Sequence, residues 1–186
     1  MQDVMKNKEI DLQIAPVNRI AILGAESSGK SQLAQALATH FKTLWVAEYL
    51  REFVDKNGRV PCSNDQLLIA KTQMERENAA ANKASTWLFC DTTPMMTALY
   101  SRLYFDELDP ALSAMDLIHN YQFTVVTAPD FPWTPDGLQR ESPQVRQQVH
   151  EELISILDDR EIPFMLVEGS LDSRVQQVRF ALDFLT

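Results

Sequence analysis

The sequence predicts an α/β fold, a three-layer sandwich with helices on both faces of a parallel five-stranded sheet. Two observations carry that prediction. Short apolar runs alternate along the chain with longer segments of helical periodicity, the signature of β-α-β units joined by right-handed crossovers. The stretch Gly24-Ala25-Glu26-Ser27-Ser28-Gly29-Lys30-Ser31 also sits between the first apolar run and the first helix. It has the form G-x-x-x-x-G-K-[ST] in the strand–loop–helix context that a phosphate-binding loop requires.

The chemistry of that loop follows from its residue types. Glycines let backbone pack closely around phosphate oxygens where a side chain would block the approach. The first N–H groups of the following helix point at the anion, aided by the helix dipole. Lys30 is placed to reach the β- and γ-phosphates, and the Ser31 hydroxyl to ligate Mg²⁺. Gly24, Glu26, Ser27, Ser28, Gly29, Lys30, Ser31 and Gln32 are therefore candidate residues for binding ATP, and the fold class is that of a P-loop NTPase.

The elements read in order as follows. Residues 1–18 form an N-terminal extension ending near Pro16. The first strand, 19–23, is continuously apolar, as in a strand covered on both faces. The first helix, 32–42, carries Leu33, Leu37 and Phe41 as its core stripe. A short second strand, 44–47, delivers Glu48-Tyr49-Leu50-Arg51-Glu52 into a helix that stops near Asn57-Gly58. Ser63 and Gln66 read as a capping box opening a helix to about Ala84. In that helix Leu67, Ala70 and Met74 are expected to face inward, and 75–83 to be solvated. The third strand, 87–90, ends in Asp91-Thr92-Thr93, and helices follow over about 94–104 and 109–120.

The fourth strand spans 121–127 and leads into a loop dense in Pro, Asp and aromatics, read as a lid over about 130–142. Ser142-Pro143 is an N-cap with proline at the first helical position, opening a helix to about Asp159. A fifth strand, 163–167, precedes a last helix from about Leu171 with Val175, Val178, Leu182 and Leu185 on one face. Residues 19–186 thus read as one domain.

Composition narrows the function. A chain of 186 residues with 45% hydrophobic content suits a single full core. Its net charge of −9 argues against a nucleic-acid partner, since phosphate backbones select clustered Lys and Arg. No apolar run approaches a membrane span, and the N-terminus lacks a signal-peptide core, so a cytoplasmic protein without a membrane partner is expected. Cys62 and Cys90 have neither metal-ligand nor disulfide-framework spacing. The three histidines show no triad or metal pattern.

In parallel sheets chemistry sits at the carboxyl ends of strands, where Glu48, Asp91 and Asp130 all fall. Asp91 ends an apolar strand as the Mg²⁺-orienting aspartate of P-loop proteins does, although a helix-capping role also fits. Glu48 suits an acceptor hydroxyl, as base or anchor, or else a favourable helix-start charge. Trp133 reads either as a stacking platform for a flat ring or as a plug holding the lid down. Asp130 and Asp136 suit sugar hydroxyls. Arg140 and Arg146 are candidates to meet the transferring phosphoryl group, or to form surface ion pairs.

These motifs, taken in order, resemble the ribosylnicotinamide kinase domain of NadR-type bacterial NAD regulators. That family shows G-x-E-S-S-G-K-[ST], matched by Gly24 to Ser31, and E-Y-x-R-E, matched by Glu48, Tyr49, Arg51 and Glu52. An I-A-x-x-Q-x-x-x-E helix matches Ile69, Ala70, Gln73 and Glu77, D-T matches Asp91-Thr92, and P-W-x-x-D-G matches Pro132, Trp133, Asp136 and Gly137. Ala25 stands where the family more usually has Pro, and the lid arginine falls one position earlier in some members.

The resemblance implies ATP-dependent phosphorylation of the ribose 5′-hydroxyl of nicotinamide riboside, a small-molecule nucleoside, to give nicotinamide mononucleotide. It also implies strand order 2-3-1-4-5. Tyr49 and Trp133 would then flank the nicotinamide ring, with Glu48, Arg51, Asp130 and Asp136 completing the acceptor side. Catalysis would fall to Lys30, Glu48, Asp91 and Arg140, and Mg²⁺ to Ser31 and Asp91. Two alternatives remain open, a kinase for another nucleoside and a sensor that binds ATP and a pyridine nucleotide without turnover.

Overall fold

In a computed structural model of the chain, residues 17–132 and 142–185 are described. Their elements run β1 (Asn18–Leu23), α1 (Lys30–Phe41), β2 (Leu44–Val46), α2 (Tyr49–Asn57), α3 (Ser63–Ala81) and β3 (Trp87–Asp91). Then come α4 (Pro94–Phe105), α5 (Pro110–Asp116), β4 (Phe123–Thr127), α6 (Pro143–Asp159), β5 (Met165–Val167) and α7 (Leu171–Leu182). The strands form one parallel sheet in the order β2-β3-β1-β4-β5. This is the expected fold and strand order.

β1 explains the layering. Its side chains alternate between two faces, and from Ile20 to Leu23 both are covered, so none of those positions suits a polar residue. Ile20 and Ile22 pack with Leu33 and Leu37 of α1 and Val178 and Leu182 of α7. Ala21 and Leu23 pack with Met95 and Leu99 of α4 and Val149, Leu153 and Leu157 of α6. The strand also pairs with β3 on one side and β4 on the other, from Asn18 opposite Trp87 to Leu23 opposite Val126. Its carboxyl end, where the phosphate loop begins, is therefore fixed from four directions.

Helix starts follow local chemistry. Ser142 Oγ accepts the Val145 N–H, and Asp109 Oδ1 accepts those of Ala111 and Leu112, satisfying donors that a helix leaves open. The cap of α3 differs from the reading above by one residue. Cys62, not Ser63, is the N-cap, and the Asp65 carboxylate accepts its N–H at 2.8 Å while pairing with Arg59. An ionised acceptor three residues inside the helix outcompetes a neutral Gln66 for that role.

The inward face of α3 also departs from expectation. Gln66, Ile69, Ala70, Gln73 and Glu77 are buried, while Leu67 and Met74 are only half-buried. The third helix is thus turned so that a polar stripe faces inward, where Tyr49 of α2, Asp91 at the end of β3 and Tyr121 before β4 offer it hydrogen-bond partners. Glu77 lies inside the segment expected to be solvated, and it is 1% exposed. α5 stops at Asp116, short of Asn120, and Leu185 is exposed where the periodicity of α7 had placed it on the core side.

Candidate functional site

The phosphate loop leaves β1 at Gly24 and enters α1 at Lys30. Gly29, the N-cap of α1, has φ 85°, a left-handed conformation that a side chain disfavours. A Cβ there would also lie 2.6 Å from Cε2 of Phe131, so the position excludes side chains twice over. Within the loop Ser28 Oγ donates to Ala25 O at 2.7 Å and lies 2.6 Å from Thr127 Oγ1. Lys30 Nζ donates to Ala25 O at 3.0 Å, and Glu26 is buried in the loop.

β3 brings Asp91 alongside. The Ser31 hydroxyl donates to Asp91 Oδ2 at 2.5 Å, joining the first turn of α1 to the end of β3. Asp91 is fully buried, and its Oδ1 has no hydrogen-bond partner among the described residues. Burial pushes its pKa up, opposed by the nearby Lys30 charge and the Ser31 hydrogen bond. A buried carboxylate with one open oxygen beside a hydroxyl is a hard-oxygen pair of the kind Mg²⁺ takes with water and phosphate oxygens. No group of three His, Cys, Asp or Glu capable of holding a metal by themselves occurs among the described residues.

These residues open onto a cavity of about 440 Å³. Ser27, Gly29, Lys30, Ser31 and Gln32 line one end, and Trp45, Ala47, Glu48 and Arg51 the other, with Asp91 between them and Phe131 and Pro132 at the rim. Glu48 is the residue before α2, and Arg51 lies 3.7 Å from its carboxylate. The cavity therefore joins the phosphate-loop residues to a carboxylate, a guanidinium and an aromatic ring.

Other predicted residues are used differently. Tyr49 does not line the cavity; its ring lies beneath the Arg76 guanidinium, 4.5 Å from ring centroid to Cζ. Asp130 accepts the Gly169 N–H at 2.6 Å and pairs with Arg174. Arg146 donates to Phe131 O at 2.9 Å. Trp133, Asp136 and Arg140 lie outside the described residues, as does most of the lid.

Three site residues escaped the sequence reading. Trp45 is half-buried and lines the cavity, an aromatic three positions before Glu48 that passed as ordinary strand apolarity. Gln73 appeared in a motif without a role. Arg174 is 0% exposed, and it was hidden because α7 was read for its apolar stripe alone. Its spacing to Val178 and Leu182 places a cation on the core face, which was the available signal.

Arg174 ties three loops together. Its guanidinium donates to Ser28 O in the phosphate loop, Ala128 O after β4 and Gly169 O after β5, and pairs with Asp130. It also lies 4.1 Å from the Phe131 ring centroid. Burial lowers its pKa, countered by the Asp130 charge.

Comparison with known proteins agrees with this arrangement. The chain is 29% identical over 164 residues to the trifunctional NAD biosynthesis/regulator protein NadR of Escherichia coli (strain K12). It is 28% identical over 166 residues to the Salmonella typhimurium protein of the same name. Each match takes in 85% of this chain and 40% of the relative, so the chain spans well under half the length of these proteins. Among solved structures, NadR protein in complex with NR superposes with a TM-score of 0.79 at 22% identity, covering 91% of this chain and 51% of that one. A deoxyadenosine kinase from M. mycoides superposes at 0.63 with 10% identity, covering 89% and 99%. These superpositions establish a P-loop kinase-like fold. Residues 19–174 match the AAA domain family, and the chain belongs to that family.

Proposed function

We propose that the protein is an ATP-dependent kinase that phosphorylates the ribose 5′-hydroxyl of nicotinamide riboside, giving nicotinamide mononucleotide. The observation that carries this reading is the single cavity joining Lys30, Ser31 and Asp91 to Trp45, Glu48 and Arg51. The similarity to NadR, one structure of which is a complex with NR and another with NAD and AMP-PNP, supports the choice of acceptor.

In this reading the backbone N–H groups of the phosphate loop and Lys30 hold the β- and γ-phosphates. Ser31 and Asp91 would hold Mg²⁺, which neutralises charge on the phosphate oxygens. Glu48 accepts the proton of the 5′-hydroxyl as its oxygen bonds to the γ-phosphorus and the bond to the ADP oxygen breaks. Trp45 offers an indole face to the flat, cationic nicotinamide ring. Trp133, Asp136 and Arg140 are assigned to the same acceptor and transfer steps. The net charge of −9 fits a small-molecule rather than a nucleic-acid partner. No helix among the described residues is long and apolar enough to cross a membrane, in keeping with a cytoplasmic enzyme.

The test is ADP release with Mg²⁺·ATP across a panel of nucleosides. Nicotinamide riboside should stimulate release most, with nicotinamide mononucleotide as product. Stimulation by a different nucleoside alone would move the acceptor assignment. No stimulation by any compound, with ATP still bound, would make the protein a nucleotide sensor.

A further inference from the structure

Gln73 of α3 takes no part in the steps above, yet it is 2% exposed and faces the site. Its two amide atoms reach different strands' ends. Oε1 accepts the Tyr49 N–H at 2.9 Å, immediately after Glu48, and Nε2 donates toward Asp91 O at 3.4 Å. An amide supplies an acceptor and a donor at that spacing without titrating, and each end here meets the partner its chemistry requires. The side chain therefore spans the gap between the end of β2, which carries Glu48, and the end of β3, which carries Asp91.

The bridge is itself braced. Glu77, one turn further along the same face of α3, accepts the Tyr121 hydroxyl at 2.8 Å. Glu77 also lies 3.9 Å from Arg19 at the start of β1. A buried amide with both ends used is fixed in rotamer and orientation, which is what a group that sets another group's position must be.

We propose that Gln73 is a positioning residue that fixes the separation of the Glu48 and Asp91 carboxylates, holding the proton acceptor in register with the metal-binding end. This rests on the kinase reading for its consequence in turnover, but not for the bridge itself. Small displacements between such groups lower rates steeply, because the reacting atoms leave their near-attack geometry.

The test uses two substitutions and a control. Gln73→Met removes both hydrogen bonds at similar volume, Gln73→Glu as the carboxylate keeps an acceptor for Tyr49 N–H but loses the donor to Asp91 O, and Leu157→Val perturbs the packing of α6 instead. Gln73→Met should lower kcat by about 10- to 100-fold and raise the acceptor KM. AMP-PNP affinity without Mg²⁺ should stay at the wild-type value, and the Tyr49 amide should exchange hydrogen about tenfold faster or more. Gln73→Glu should keep Tyr49 protection and the acceptor KM near wild type while kcat stays low. Unchanged Tyr49 exchange in Gln73→Met would overturn the bridge, even if no acceptor for the wild-type enzyme were found. Wild-type kcat in Gln73→Met, or losses in both variants that merely track Tm as in Leu157→Val, would overturn the positioning role.

Discussion

The two ends of the cavity are built in opposite ways. The phosphate end hangs from β1, the central strand, which has sheet neighbours on both sides and helices on both faces. Its loop is then pinned by Thr127 and by the buried Arg174. The end proposed for the acceptor hangs from β2, a three-residue edge strand whose Leu44 is 40% exposed, and from the start of α2, a helix in which Phe53 is the one buried residue. Beside the apolar contacts of Val46 with Leu88 and Cys90, this end is tied by the two hydrogen bonds of Gln73, to Tyr49 N–H and Asp91 O. The difference matches the demands on each end. Triphosphate binding is common to many enzymes and tolerates a rigid cradle, whereas acceptor choice is adjusted most easily on a lightly packed edge.

Four measurements break or sharpen that contrast. Arg174→Met should have the largest effect. It leaves the carbonyls of Ser28, Ala128 and Gly169, the first two buried, and the partly exposed Asp130 without their cation, a loss of about 2–4 kcal/mol in urea unfolding. A loss no larger than that of an exposed arginine such as Arg179 would show that the phosphate end is not held from α7. Lys30→Ala should lower kcat by about 10²–10³-fold through lost charge stabilisation. Its Tm should fall much less than that of Arg174→Met, since among the described residues Lys30 donates a hydrogen bond to Ala25 O and otherwise acts on Asp91 through its charge.

The third concerns the brace behind the acceptor end. Burial raises the Glu77 pKa from 4.5 to about 6. A carboxyl with a folded pKa above its unfolded one binds protons more tightly when folded, so its contribution to stability is greatest below pH 4.5. It declines as pH rises through 6, by about 2 kcal/mol in all. Glu77→Gln, which keeps an acceptor for Tyr121, should remove this decline, so the two proteins' unfolding free energies should diverge by about that amount between pH 4.5 and 7. Parallel curves would mean that Glu77 is not buried as an acid. Smallest is Trp45→Leu, which should raise the acceptor KM by roughly fivefold to tenfold with ATP affinity unchanged, the size of one lost aromatic stacking contact.

The same contrast decides what could be read from sequence. β1 and its loop announce themselves because burial on both faces forces an unbroken apolar run and phosphate binding forces glycines at fixed spacing. Asp91 was legible for a related reason, as a charge ending an otherwise apolar strand. The other end was legible only in Glu48 and Arg51. Trp45 in β2 looks like any strand aromatic, since a ring that lines a cavity and a ring that fills a core have the same hydropathy. α3 misled more actively. Leu67 and Met74 suggested its inner face, yet Gln66, Gln73 and Glu77 occupy it, because specific hydrogen bonds at the sheet edge outweigh the transfer of two partly covered apolar side chains. Asp130, expected to meet sugar hydroxyls, is instead held by Gly169 N–H and Arg174, a pairing set by residues far along the chain that no local pattern reveals.

The reach of Arg174 also sets an order of events while the chain is being made. Ser28 and Arg174 are 146 residues apart in sequence. At about 5–20 residues per second, roughly 7–30 s separate the synthesis of the two. The phosphate loop is among the first parts of the described fold to leave the ribosome and among the last to acquire its clasp. Tight nucleotide capture by a nascent chain would therefore report that α7 has docked, long after α1 has formed.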